Sequence, residues 1–248
     1  MSENEKKRID QLLVELGLVK SRTLSSKLIG SGAVSYKGKK ITVPSEKILV
    51  TESIASEITI VQSDLTKYVS RGGLKLEGAI KRLKLSVNDL EVLDIGISTG
   101  GFTDCLLQNG AKHITGVDVG HGQLHESLKG HKRVKAIEGV NAKNFDLEQS
   151  FDLAVIDVSF ISLSQVLESA KKHVKAGGKI LALVKPQFEV GPKNLNTKGV
   201  VKNESLYKEV EDKIRSRAKE LSLKVSAYFK CDVIGGDGNQ EFFILLEN

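Results

Sequence analysis

Glu91-Val-Leu-Asp-Ile-Gly-Ile-Ser-Thr-Gly-Gly-Phe-Thr-Asp104 is the stretch from which the fold can be read. Val92, Leu93 and Ile95 form a short apolar run of strand character, and Gly96, Ser98, Gly100 and Gly101 follow as a turn of small residues. Phe102 to Asn109 then carries helical spacing and stops at Gly110. Glycines in such a turn let a ligand lie against bare backbone at the start of a helix. That is how α/β sheets hold nucleotide-like cofactors. The spacing Gly96-x-x-x-Gly100-Gly101 is not the dinucleotide Gly-x-Gly-x-x-Gly, and no Gly-x-x-x-x-Gly-Lys-Ser/Thr phosphate loop occurs. A second strand, His113 to Val119, presents Asp118 about twenty residues on, where a carboxylate can accept hydrogen bonds from a ribose. Asp94 and the Ser98-Thr99 loop suit a cationic amino-acid cofactor better than a pyrophosphate. The expectation is S-adenosylmethionine rather than a nicotinamide.

Outward from this stretch, strands are expected at 91–96, 113–119, 133–138, 151–158 and 179–185, with helices between most of them. The alternation predicts a parallel, doubly wound α/β sheet. A last helix runs from Asn203, as its cap, to about Leu221. Strands at 224–233 and 241–247 follow, joined by Gly235-Gly-Asp-Gly-Asn-Gln240 as an antiparallel hairpin. Pro186–Lys202, holding Pro186 and Pro192, is expected to be the longest loop and a substrate-side lid.

Toward the other end, residues 8–60 read as a separate compact module. Ile9, Leu12, Leu13 and Leu16 recur at helical spacing before Gly17, and Ser21 caps a second helix through Leu24, Leu28 and Ile29. A hairpin follows, turning at Lys37-Gly38. Of the formal charge of +6, a net +5 falls within residues 1–50, which points to a polyanionic partner met by that segment. Arg22, Lys27, Lys37, Lys39 and Lys40 are expected to cluster as a reader of RNA shape and phosphate rather than of base sequence. The domains are therefore placed at 1–60 and 89–248, with a connecting segment and helix at 61–88.

Cys105 and Cys231 stand far apart and lack metal-ligand spacing, so no metal site or disulfide framework is expected. No stretch reaches membrane-spanning length and no signal peptide is visible, which predicts a soluble, cytoplasmic chain without membrane insertion. Asp157, Lys185 and Glu241 stand at strand ends. The amino end of an antiparallel strand lies beside the carboxyl ends of its parallel neighbours, so all three fall on the edge where such sheets bind ligands.

Two resemblances add to this reading. Arg8-Ile-Asp-Gln-Leu-Leu, Ser21-Arg22, Lys27-Leu-Ile, Gly32-Ala-Val and Lys37-Gly38 resemble the small α+β RNA-binding domain of ribosomal small-subunit protein four, pseudouridine synthases and tyrosyl-tRNA synthetases. Val69-Ser-Arg-Gly-Gly-Leu-Lys-Leu76, Asp94 to Asp104, Asp118-Val-Gly-His121, Asp157-Val-Ser-Phe-Ile-Ser162, Val184-Lys-Pro-Gln-Phe-Glu189 and Gly238-Asn-Gln-Glu241 resemble the TlyA family. These are hemolysin-named ribosomal RNA 2′-O-methyltransferases related to the FtsJ class. The resemblance implies a class I, Rossmann-like methyltransferase sheet, S-adenosylmethionine as cofactor, and ribosomal RNA or ribosomal subunits as partner. It implies a catalytic tetrad of Lys75, Asp157, Lys185 and Glu241. It places Asp94, Gly96, Ser98, Gly100, Gly101, Phe102, Asp118 and Asn141 at the cofactor, and Arg8, Arg22, Lys27, Lys37, Lys39 and Lys40 at RNA. Departures are Glu138-Gly-Val-Asn-Ala-Lys143, where relatives carry Glu-Arg-Thr-Asn-Ala-Arg, and Cys231-Asp232 in place of Ser-Pro. The rival readings are a membrane-active hemolysin and a non-catalytic RNA-binding assembly factor.

Overall fold

The computed structural model describes residues 5–61 and 67–248, in two compact units, Met1–Lys67 and Tyr68–Asn248. Part of the expected connecting segment, residues 62–66, lies outside the described residues.

The N-terminal unit runs β1 (Lys6–Arg8), α1 (Ile9–Glu15), α2 (Arg22–Gly30), β2 (Val34–Tyr36), β3 (Lys39–Ile41), β4 (Lys47–Leu49), α3 (Ile54–Glu57) and β5 (Ile58–Ile60). The Ser21 side chain accepts the Leu24 N–H and caps α2, as its hydroxyl predicts. Between β2 and β3 both turn residues have positive φ, Lys37 at 49° and Gly38 at 75°. That is the mirror-image turn whose twist matches a two-residue hairpin. Ile9, Leu12, Leu13, Leu28, Ile29, Val34 and Ile41 close a core of this unit's own.

The C-terminal unit begins with α4 (Gly72–Leu83), then β6 (Glu91–Ile95), α5 (Gly101–Gln108), β7 (His113–Asp118), β8 (Val134–Glu138), β9 (Phe151–Ile156), α6 (Leu167–Lys172), β10 (Val174–Val184), α7 (Leu206–Glu220), β11 (Lys224–Lys230) and β12 (Phe242–Glu247). The strands lie in the order β11-β12-β10-β9-β6-β7-β8, all parallel except β12, which is antiparallel to both its neighbours. Alternate residues of β6 feed opposite faces: Val92 joins one core with α4 and α5, while Leu93 and Ile95 join the other with α6 and α7. Both faces are thus buried, the condition for a doubly wound sheet. The strand order reverses between β6 and β9, which opens a crevice at their carboxyl ends.

Three expectations need correction. Helices fill only two of the four gaps from β6 to β10, against helices expected in most of them; residues 119–133 and 139–150 are turns and loops. The first is rich in Gly, Lys and His, the second is mostly small and polar, and neither carries a sustained apolar stripe, so a helix there would have no face to bury. The last helix starts at Leu206, not at Asn203. The Asn203 carboxamide instead accepts the Ser205 N–H at 2.9 Å, making a turn ahead of the helix. Finally, β10 starts at Val174, five residues earlier than expected, with a register shift before Lys179. Residues 186–202 are ordered by short 3-10 turns at Pro186–Phe188 and Pro192–Asn194 and by a bridge between Leu195 and Val201.

Candidate active site

Two close approaches at glycines build the crevice. Gly96 leaves β6 with φ 89°, and a Cβ there would stand 2.6 Å from the Asp157 carbonyl oxygen, so a side chain would push the turn off the end of β9. At Gly101 a Cβ would collide with the Ser70 hydroxyl and stand 3.1 Å from the Gly73 nitrogen. Small residues therefore let the amino ends of α4 and α5 meet. Both ends carry partial positive charge from unpaired N–H groups. This approach, which the sequence shows only as two Gly-Gly pairs, carries Lys75 on the first turn of α4 into the crevice.

The four tetrad candidates form two ion pairs. Lys75 Nζ stands 2.5 Å from Glu241 Oε2, with side chains 9% and 3% exposed. Lys185 Nζ stands 2.6 Å from Asp157 Oδ1 and donates to the Ser159 hydroxyl at 2.9 Å. Asp157 directly follows β9, Lys185 directly follows β10, and Glu241 directly precedes antiparallel β12. Strand geometry alone thus delivers three of the four to one edge. A cavity of about 180 Å³ is lined by Lys75, Asp157 and Lys185 with Ser70, Arg71, Gly72, Ser159 and Phe102. Glu241 does not line it; it touches the cavity through Lys75.

A larger cavity of about 590 Å³ adjoins it, sharing Gly96, Ser98, Asp157 and Ser159. Its wall includes Asp118, Asn141, Val119, Val140 and Phe160. Asp118 accepts the Ser98 N–H at 2.9 Å and the Gly120 N–H at 2.8 Å, so its carboxylate braces the glycine turn while facing the cavity. Asn141 accepts the Lys143 N–H at 3.0 Å, and Lys143, the residue that departs from Arg, lines the same wall. Of the eight cofactor candidates, Gly96 and Ser98 line both cavities. Gly101 and Phe102 line the smaller one, and Asp118 and Asn141 the larger. Gly100 (φ 91°) and Asp94 line neither. Asp94 is fully buried, takes the Thr103 hydroxyl at 2.6 Å on Oδ2, and leaves Oδ1 unpaired. Burial pushes its carboxyl up to about 7 against the pull of the Thr103 bond, and the Asp157 charge adds to the rise.

Two features escaped the residue-by-residue reading. Glu189 has a side chain 1% exposed. Its carboxylate accepts the Leu163 N–H and the Ser162 hydroxyl, each at 2.6 Å, and the Lys213 ammonium at 2.7 Å. It bolts the loop after Asp157 to the loop after Lys185, and both to α7. Only a charged residue closing an otherwise uncharged Pro-Gln-Phe turn hinted at this. Phe160 is 91% exposed, has φ 63°, and meets the Phe188 ring at 5.2 Å between centroids. That left-handed backbone state is one that bulky side chains rarely adopt.

The RNA candidates all lie in the N-terminal unit. Arg8 and Arg22 share the Asp10 carboxylate, Lys37 pairs with Glu57 at 3.4 Å, and Lys27, Lys39 and Lys40 are exposed. The Lys40 chain lies across Gly32, where a Cβ would collide with its Cε.

Residues 68–248 match the FtsJ-like methyltransferase family and residues 7–54 the S4 domain. The chain is 38% identical over 242 residues to the 16S/23S rRNA (cytidine-2′-O)-methyltransferase TlyA of Mycobacterium tuberculosis, covering 96% of this chain and 89% of that protein. It is 35% identical over 239 residues to Hemolysin A of Brachyspira hyodysenteriae, covering 95% and 97%. A solved structure from Streptococcus thermophilus that carries the hemolysin name matches with TM-score 0.73 and 38% identity, covering 98% of this chain and 88% of that one. An S-adenosylmethionine-dependent methyltransferase from Mesorhizobium loti matches in fold alone, with TM-score 0.53 at 11% identity, over 70% of this chain and 98% of that one.

Proposed function

The chain belongs to the FtsJ-like methyltransferase family, and on that premise we propose that it transfers a methyl group from S-adenosylmethionine to the 2′-hydroxyl of a ribose in ribosomal RNA. The observation that carries this reading is the double ion pair, Lys75 with Glu241 and Lys185 with Asp157, beside a glycine-walled crevice.

The crevice fits the cofactor by its chemistry. Asp118 offers carboxylate oxygens to ribose hydroxyls, Asn141 offers an amide to a base edge, and Val119 and Phe160 offer apolar faces. Gly96 leaves backbone bare where the two cavities meet, and Gly101 does so in the smaller one. Bound there, the sulfonium supplies a methyl group that needs no further activation. What remains for the protein is positioning and removal of one proton. Lys185 acts from its neutral amine form, after its ammonium has given a proton to solvent; the amine takes the hydroxyl proton, and Asp157, 2.6 Å away, stabilises the ammonium that forms again. Lys75, held on Glu241 behind the cavity wall, orients the ribose. The N-terminal unit supplies affinity for RNA through its basic face. Among the described residues no helix is long and apolar enough to cross a membrane.

The test is incubation of ribosomal subunits lacking the modification with the full chain and methyl-labelled cofactor, followed by alkaline hydrolysis. A 2′-O-methyl group leaves one hydrolysis-resistant dinucleotide per modified site. Cofactor binding without transfer to either subunit would point instead to a non-catalytic assembly factor.

A further inference from the structure

The N-terminal unit holds a buried carboxylate between two exposed guanidinium groups. Asp10, in the first turn of α1, is 2% exposed, and its carboxylate accepts Nε and Nη2 of Arg8 at 3.0 Å each and Nε of Arg22 at 2.9 Å. The two arginine side chains remain 40% and 57% exposed. A guanidinium carries five donors in one plane, so each arginine keeps donors beyond those given to Asp10. The Arg8 bonds first, and then those of Arg22, overcome the cost of burial and hold the Asp10 carboxyl down at about 2. The cluster therefore carries two positive charges on one negative charge.

The helix beside it points the same way. Arg22 is the first residue of α2, whose first turn holds no acidic residue. A cation there faces the positive end of the helix, an arrangement that the helix dipole disfavours. An arginine kept where it opposes the dipole, with its flexible chain fixed by a buried carboxylate, suits an anion arriving from outside. Fixing the two chains in the folded protein also removes the ordering that binding would otherwise require.

We propose that Asp10 is a positioning residue that presents Arg8 and Arg22 as a preorganised guanidinium pair to phosphates of a structured RNA. This rests on the reading that the N-terminal unit binds RNA. The phosphodiester backbone is the ligand because planar guanidinium donors match phosphate oxygens in pairs, whereas a reader of unpaired bases would need aromatic rings to stack them on.

The experiment compares binding of the full chain to protein-free ribosomal RNA across a potassium chloride series. Asp10→Asn removes a negative charge, so plain electrostatics predicts tighter binding. Positioning predicts the opposite sign, roughly tenfold weaker binding, because two side chains must then be ordered on the RNA. The salt slope should flatten by about 0.7–0.9 for each phosphate that the variant no longer engages. Arg22→Lys keeps the charge and the Arg8–Asp10 bonds but not the planar fork, and should weaken binding in the same direction. It also guards against an Asp10→Asn variant that fails to fold. A purely structural Asp10 would lower the unfolding temperature and leave the slope unchanged. Unchanged or tighter binding by Asp10→Asn, or a neutral Arg22→Lys, overturns the proposal. An Arg8→Ala/Arg22→Ala chain with full RNA affinity would remove the underlying RNA-binding reading as well.

Discussion

Replacing Lys75 by Met separates the stability role of the buried ion pair from its chemical one. Lys75 Nζ lies 2.5 Å from Glu241 Oε2, and the side chains are 9% and 3% exposed. Met has nearly the length of Lys but no charge, so Lys75→Met leaves Glu241 buried without its partner. Removing one member of a buried pair costs about 3–5 kcal/mol. For a unit the size of Tyr68–Asn248 that corresponds to a fall in Tm of roughly 6–20 °C. Lys75→Met/Glu241→Met removes both charges and should recover most or all of the loss, since an apolar pair of similar volume is often as stable as the ions. Lys185→Met should cost less than Lys75→Met, because its partner Asp157 is 20% exposed and water still reaches the carboxylate. All three variants should lose methyl transfer. The assay is thermal unfolding by circular dichroism at several pH values. A single variant as stable as the parent chain, or a double variant no better than the single, would mean that the pair is not sealed from water.

Four further outcomes follow from the same geometry. Asp94 titrates at about 7 when folded and near 3.8 when free, so the folded chain holds the extra proton between those values and stability falls as pH rises across that window. Asp94→Asn should become more stable than the parent chain over that range, by about 4 kcal/mol above pH 7, in urea unfolding; parallel pH profiles would refute the burial argument. Lys185→Arg should fold and bind cofactor yet lose about 10²–10⁴-fold in single-turnover transfer, because guanidinium cannot accept a proton; near-normal rates would leave Lys185 only an orienting role. Asp118→Ala should weaken cofactor binding by roughly 1–3 kcal/mol in calorimetry, and unchanged affinity would take Asp118 out of the cofactor site. Glu189→Gln weakens the bolt between the two catalytic loops and should lower kcat with the cofactor Kd unchanged, whereas equal kcat for both chains would make the bolt merely structural.

The sequence by itself determined what depends on neighbours along the chain. Strand, turn and helix around Gly96, the Ser21 cap, and the hairpin at Lys37-Gly38 all follow from side-chain sterics and hydrogen bonding within a few residues. Asp157 and Lys185 were legible as strand-end charges because each closes an apolar run, and Glu241 because it opens one. Helices were expected between most of the strands, and none forms after β7 or β8 for a related reason. The alternating pattern was extended over segments whose own residues lack an apolar face. Tertiary structure alone decided the rest. Lys75 meets Glu241 across 166 positions, and no local preference encodes that pairing. It depends on Gly101 admitting the start of α4 against α5, and on β12 entering the sheet antiparallel between β10 and β11. The burial that lifts the Asp94 carboxyl and the carboxylate bolts of Glu189 and Asp10 are likewise properties of packing. The energy of a charge is set by the groups and solvent around it, and those are fixed only once distant segments close over it.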